Sequence, residues 1–305
     1  MRWRKLRPAV QVVALLLFVV LMLAAGRGVL PADLFFRIDP LAGLAGMLAG
    51  RRLIPALLAG ALIVLAGTLL LGRAWCGWLC PLGTLLDWTP ARQARPKDAE
   101  LAPAWRSVKY FLLAFILVSA LFGSLTFLVL DPLTLLYRTF ATVLWPAFNA
   151  LLLAAEHALY WLPFLQAPID ALESTRGAWL PLEPPVYAGA VLAALLFASV
   201  LALNAVRPRF WCRYLCPLGG MLGLVSRFAW LRRTVSSECV ACQRCVRACP
   251  TGTIDPARGY ASDPAECTMC LDCLPACARG GQTFIGHLRP APRQPYDLSR
   301  RRFLG

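Results

Sequence analysis

The chain has 305 residues, of which 59% are hydrophobic and only 15% charged. That balance excludes an ordinary soluble two-domain protein and points to membrane-crossing segments. The formal net charge of +15 would suit a nucleic-acid binder. Here the arginines flank apolar runs, so positive-inside anchoring accounts for them and no nucleic acid is implied.

A basic N-terminus, Met1 to Arg7, precedes an apolar run that predicts a first span over about 10–26. A cleaved signal peptide would begin the same way, but more membrane-like sequence follows, so the run reads as an uncleaved span. Further spans are expected over about 53–71, 110–130 and 186–206. Residues 72–109 carry Arg73, Arg92, Arg95, Lys97, Arg106 and Lys109, and residues 207–233 carry Arg207, Arg209, Arg213, Arg227, Arg232 and Arg233. Four spans with both termini cytoplasmic satisfy that distribution, although Arg27, Arg37, Arg51 and Arg52 would then lie outside. Val143 to Leu165 is also apolar but contains Pro146, Asn149, Glu156, His157 and Pro163, and reads as an interfacial or re-entrant helix.

The apolar part is internally repeated. R-A-W-C-G-W-L-C-P-L-G at 73–83 recurs as R-F-W-C-R-Y-L-C-P-L-G at 209–219, and the Asp39-Pro40-Leu41 stretch is matched by Asp131-Pro132-Leu133. Each half reads as span, Asp-Pro-Leu, span, then W-C-x3-C-P-L-G, so two parallel repeats are expected. On an α-helix, positions four apart share a face, which would pair Cys76 with Cys80 and Cys212 with Cys216. Converging, the four could hold a third iron–sulfur cluster or a soft metal, or act as two redox dithiols. Inert packing of small buried cysteines would not explain the duplicated motif. Arg73 and Arg209 read first as inner-side anchors, and otherwise as cations that raise the potential of a thiolate site.

Past Pro217, residues 218–235 look like an amphipathic linker at the inner interface. Residues 236–286 then carry two runs of C-x2-C-x2-C-x3-C. This is the ligand spacing of a two-cluster bacterial ferredoxin, in which the last cysteine of each run serves the other cluster. Cluster I should take Cys239, Cys242, Cys245 and Cys277, and cluster II Cys267, Cys270, Cys273 and Cys249. Zinc or disulfide frameworks use other spacings. Pro250 follows the first run, whereas Ala278 replaces the proline often seen after the second. Residues 287–305 form a basic tail whose S-R-R-x-F-L resembles an export motif, or matches one by chance.

The chain therefore reads as mainly α. A membrane domain over 1–217 is a helical bundle of about four spans, joined to a small α+β ferredoxin domain. Weak candidates for quinone or proton handling are Asp39 and Asp131, which are otherwise turn openers before proline, and Glu156 and His157. With only two histidines, His157 and His287, a bis-histidine haem is not expected.

Taken together, the paired C-x3-C-P motifs, the spans and the C-terminal ferredoxin resemble the NapH/NosR-type membrane ferredoxins over roughly residues 10–286. The layout is most like the membrane subunit of the NapH quinol dehydrogenase. That resemblance implies two [4Fe-4S] clusters on the eight ferredoxin cysteines and the family's membrane-motif role for Cys76, Cys80, Cys212 and Cys216. It further implies quinol oxidation in a bacterial cytoplasmic membrane during anaerobic respiration, with the N-terminus and ferredoxin cytoplasmic. Electrons would pass to a partner redox protein, such as an exported ferredoxin or a multihaem cytochrome. The alternative is a metalloenzyme maturation factor that reduces or delivers copper.

Overall fold

The computed structural model describes residues 3–24, 34–89, 103–162, 187–277 and 279–286, with four positions between 164 and 171. The described residues are mostly helical, with two small two-stranded sheets among them. Arg92, Arg95, Lys97, Arg176, His287 and the S-R-R-x-F-L tail lie outside the described residues.

The first half opens with α1 (Trp3–Ala24) and the short α2 (Leu34–Arg37). Asp39 starts α3 (Pro40–Gly50), and Arg51, in a left-handed conformation at φ 47°, ends it. The chain then returns through α4 (Pro55–Leu71). A π-helical turn at Trp75–Leu79 leads to Cys80, which starts α5 (Pro81–Trp88). The second half repeats this order. It runs through α6 (Val108–Leu121), α7 (Pro132–Thr139) begun by Asp131, and α8 (Trp145–Leu159). Then follow α9 (Ala190–Val206), a π-helical turn at Trp211–Leu215, and α10 (Pro217–Ser226) begun by Cys216.

Several expectations change. Among the described residues, two runs, Leu6–Ala24 and Pro132–Leu159, are long and apolar enough to cross a membrane, with mean hydropathies of 2.4 and 1.3. The run expected over 110–130 stops at Leu121, because Gly123 turns the chain at φ 81° and Ser119 donates to the Ser124 carbonyl. The segment expected from Val143 to Leu165 is instead the far end of a run beginning at Pro132, joined through a π-helical turn at Phe140–Leu144. The linker expected at the interface is a buried helix, α10, followed by a strand. Its glycines permit that burial: Gly220 lies against the Lys109 carbonyl and Gly223 against the Ala265 carbonyl.

The C-terminal module begins at that strand, β1 (Leu231–Val235), which pairs antiparallel with β4 (Gln282–Gly286). Between them β2 (Ile254–Asp255) pairs with β3 (Ala261–Ser262). The two cysteine runs fold alike. Ala241 and Gln243 flank Cys242 with φ 55° and 58°, and Met269 and Leu271 flank Cys270 with φ 53° and 64°. Short helices follow each, α11 (Arg244–Ala248) and α12 (Cys273–Ala276), ending at Cys249 and Cys277. Left-handed residues alternating along such a loop turn successive amides inward, forming a concavity suited to an anion.

Candidate iron–sulfur site

The helical body is built around four helix starts with one local recipe. Asp39-Pro-Leu, Cys80-Pro-Leu, Asp131-Pro-Leu and Cys216-Pro-Leu each put a capping side chain, then proline, at the first position. Proline suits that place because it has no amide to leave unsatisfied and its φ is already helical. The caps at Asp39, Asp131 and Cys216 accept amide hydrogen bonds. Asp39 takes Leu41 at 2.9 Å and Ala42 at 3.2 Å, Asp131 takes Leu133 and Thr134 at 3.0 Å, and the Cys216 sulfur takes Gly219 at 3.2 Å. Cys80 holds the matching place without a capping hydrogen bond. The leucines Leu41, Leu82, Leu133 and Leu218 are all buried and fix the helix starts in the core.

The expectation of an α-helical cysteine pair is corrected in detail. Cys76 and Cys212 sit in π-helical turns, closed by Cys80 N–H to Trp75 O at 3.0 Å and Cys216 N–H to Trp211 O at 2.9 Å. The wider turn is a common device at functional sites. All four cysteines are buried in one cluster and interact electrostatically with one another. Burial pushes the Cys212 thiol up to about 11 and raises Cys80 and Cys216 as well.

Arg73, Lys109 and Arg209, expected as headgroup-level charges, are buried here. Arg209 forks onto Asp87 at 2.7 and 2.6 Å and reaches the Cys76 carbonyl at 3.4 Å. Arg7 shares Asp87 and also pairs with Asp272 at 3.0 Å. Glu266 binds Lys109 and lies 3.4 Å from Arg73. Burial alone would raise the Asp87 carboxyl, but Arg209, Arg7 and Gln11 outweigh it and hold it below the ordinary range. Among the described residues, no three His, Cys, Asp or Glu side chains converge as ligands of one ion would. A cube differs, since its thiolates hold separate corners. The residues fit such an anionic group. Buried arginine donors, Nε and Nη2 of Arg73, have no hydrogen-bond partner beside these sulfurs, and the Gly219 amide donates to the Cys216 sulfur.

In the C-terminal module, one pocket is lined by Cys239, Cys242, Cys245 and Cys277, and another by Cys249, Cys267, Cys270 and Cys273. Each combines three cysteines of one run with the last of the other. The second lies against the helical body. Trp78 Nε1 donates to the Met269 carbonyl at 2.9 Å, Arg7 to the Cys270 carbonyl at 3.4 Å, and Ser226 to the Pro264 carbonyl at 3.0 Å. The first faces outward, with Cys242 exposed.

Asp39 and Asp131 are fully buried and close enough to interact electrostatically, and Asp131 is within electrostatic reach of Cys80 and Cys216. Glu156 and His157 lie near the end of α8, with His157 exposed, and neither joins this group. Sequence reading missed Asp87, Lys109 and Glu266. The signal was available for the first two, since a charge inside or beside an apolar helix demands a partner.

These features define an iron–sulfur protein of ferredoxin type on an apolar helical body. The chain is similar to ferredoxin-type redox proteins, MauN, NosR and NirI among them. A family described as "4Fe-4S binding domain" matches residues 53–95 and 189–237, each holding one C-x3-C-P motif, and a second family of that description matches 234–255. The methylamine utilization ferredoxin-type protein MauN of Methylobacillus flagellatus is 27% identical over 82% of this chain and 76% of its own. The regulatory protein NosR of Pseudomonas aeruginosa is 32% identical over 63% of this chain but only 22% of its own. YccM of Escherichia coli is 27% identical over 65% of this chain, which spans 48% of that relative. No solved structure matches.

Proposed function

We propose that this chain carries electrons between a membrane quinol and a redox partner, through a centre held by Cys76, Cys80, Cys212 and Cys216 and then through two ferredoxin clusters. The observation that carries the reading is the seating of the Pro264–Asp272 loop on the C-x3-C-P turns. Cluster II, on Cys249, Cys267, Cys270 and Cys273, would be the inner carrier. Cluster I, on Cys239, Cys242, Cys245 and Cys277, would meet the partner at the exposed side. Bound cubes supply one-electron carriers whose potentials follow charge, hydrogen bonding and exposure. The protein's own residues hold the thiols, exclude water from the inner centre and fix its distance from cluster II.

In this reading α1, at 22 residues, is a full span, and α4, α6 and α9, at 17, 14 and 17 residues, are short spans that need a locally thinned bilayer. α3 and the Pro132–Leu159 run are re-entrant, since both begin at buried aspartates inside the body. Outward apolar residues such as Val13, Ile63, Phe111 and Val191 support a lipid-facing belt. The termini would then share the cytoplasmic side. The test is anaerobic mixing of the purified, cluster-loaded protein with a reduced menaquinol analogue. Reduction of the clusters followed by EPR supports the reading, and intact but unreduced clusters overturn the quinol role. A metal-poor partner enzyme in a deletion strain would favour maturation instead.

A further inference from the structure

The two arginines at equivalent places in the repeat are held differently. Arg209 uses all three guanidinium nitrogens, two on Asp87 and one on the Cys76 carbonyl. Arg73 uses one. Its Nη1 donates to the Ala265 carbonyl at 2.8 Å and lies 3.4 Å from Glu266. Its Nε and Nη2 are buried without a hydrogen-bond partner, on a residue only 1% exposed. Gly219 leaves the space between Nη2 and the nearest sulfur open. A Cβ there would stand 2.7 Å from Nη2 and 3.3 Å from the Cys216 sulfur. The strongest electrostatic partners of Arg73 are Cys76, Glu266, Cys216 and Cys212. Glu266 is already shared with Lys109.

We infer that Arg73, with two guanidinium nitrogens free to face the sulfurs, is the positioning cation of the four-cysteine centre, offsetting the charge of each arriving electron and raising its reduction potential, whereas Arg209, which also acts on Cys212, has its guanidinium tied up by Asp87 and the Cys76 carbonyl and chiefly holds the fold. The inference rests on the reading that these four cysteines hold a redox centre. Physically, adding an electron to an anionic group in a water-poor site is costly unless a cation faces it, and a cation already paired to a carboxylate offsets less. No bond or proton moves at Arg73. The electron comes from the quinol and leaves for cluster II. The same guanidinium touches Ala265 and Glu266, directly before Cys267, so it stands between the two centres.

The experiment is an EPR-monitored redox titration of the full-length, cluster-loaded protein in detergent, with iron analysis of each sample. Arg73→Gln is expected to lower the midpoint of the inner centre by at least a tenfold change in its equilibrium constant, about 59 mV for one electron. Arg73→Lys should recover most of that shift. Gly219→Ala, which pushes the guanidinium aside, should move it in the same direction as Arg73→Gln. Arg209→Lys, which keeps the charge but loses the fork onto Asp87, should shift it by less than Arg73→Gln does. Should Arg73→Gln fail to fold, Gly219→Ala and Arg73→Lys carry the comparison. Unshifted midpoints with full iron in the Arg73 and Gly219 variants overturn the inference. Iron for only two cubes in the unmodified protein overturns the underlying reading, and the inference with it.

Discussion

Gly77 has no side chain where the Thr268 carbonyl oxygen comes to rest. A Cβ at that position would stand 2.1 Å from the oxygen. The glycine is therefore the contact point between the first C-x3-C-P turn and the loop that carries Cys267 and Cys270.

Gly77→Ala should force this loop off the helical body. The opposing group is backbone, which cannot swing aside, so an overpacking cost of about 1–3 kcal/mol is expected. The eight ferredoxin cysteines are untouched. Cluster II should keep its iron and lose fast electron exchange with the inner centre, as stopped-flow reduction would register. Exchange at the unmodified rate would show that the contact does not govern transfer.

Glu266 stands between two buried cations, Lys109 and Arg73, with its own side chain 5% exposed. Glu266→Gln leaves both without their shared anion, and removing one partner from a buried ion cluster costs about 3–5 kcal/mol. Thermal unfolding in detergent should show the loss. Lys109→Met introduced with Glu266→Gln should recover part of it, because the stranded ammonium is then gone.

Asp87 contributes to stability in a defined pH window. Arg209 and Arg7 hold its folded-state value below the ordinary 3.8 of the unfolded chain. A depressed carboxyl contributes stability that is fully present above the unfolded value and is lost as pH falls through the folded one. Acid titration of unfolding should therefore show a loss beginning below about pH 4. In Asp87→Asn that loss should be absent, with lower stability at neutral pH.

Replacing both Cys76 and Cys212 with serine should remove about a third of the bound iron, one cube of three. The ferredoxin EPR signals should persist. Unchanged iron would exclude a cluster at the C-x3-C-P turns, and copper in its place would favour the maturation reading.

The two cysteine runs were legible because chemistry fixes their spacing, and the pockets group the same residues that the spacing grouped. The repeat was legible too, down to matched π-helical turns. What escaped were features set by tertiary contact. Gly123 ends α6 nine residues before its apolar run does, because hydropathy carries no information about a left-handed turn. Gly219, Gly220 and Gly223 carry no signal of their own in the sequence, yet they are the places where Arg73, Lys109 and Ala265 approach α10. Arg73 and Lys109 read as surface charges because Glu266, their partner, lies more than 150 positions away in the chain.

The closeness of Asp39 and Asp131 has a consequence for the history of the chain. These residues hold equivalent places in the two halves, and yet they lie close enough to interact. A position meets its own counterpart only when it lies on the axis relating two copies. Two copies of a single ancestral half, joined face to face, would have met through this aspartate. Two halves in one chain need not stay identical, and the Arg73–Arg209 difference gives one repeated interior two unlike sides.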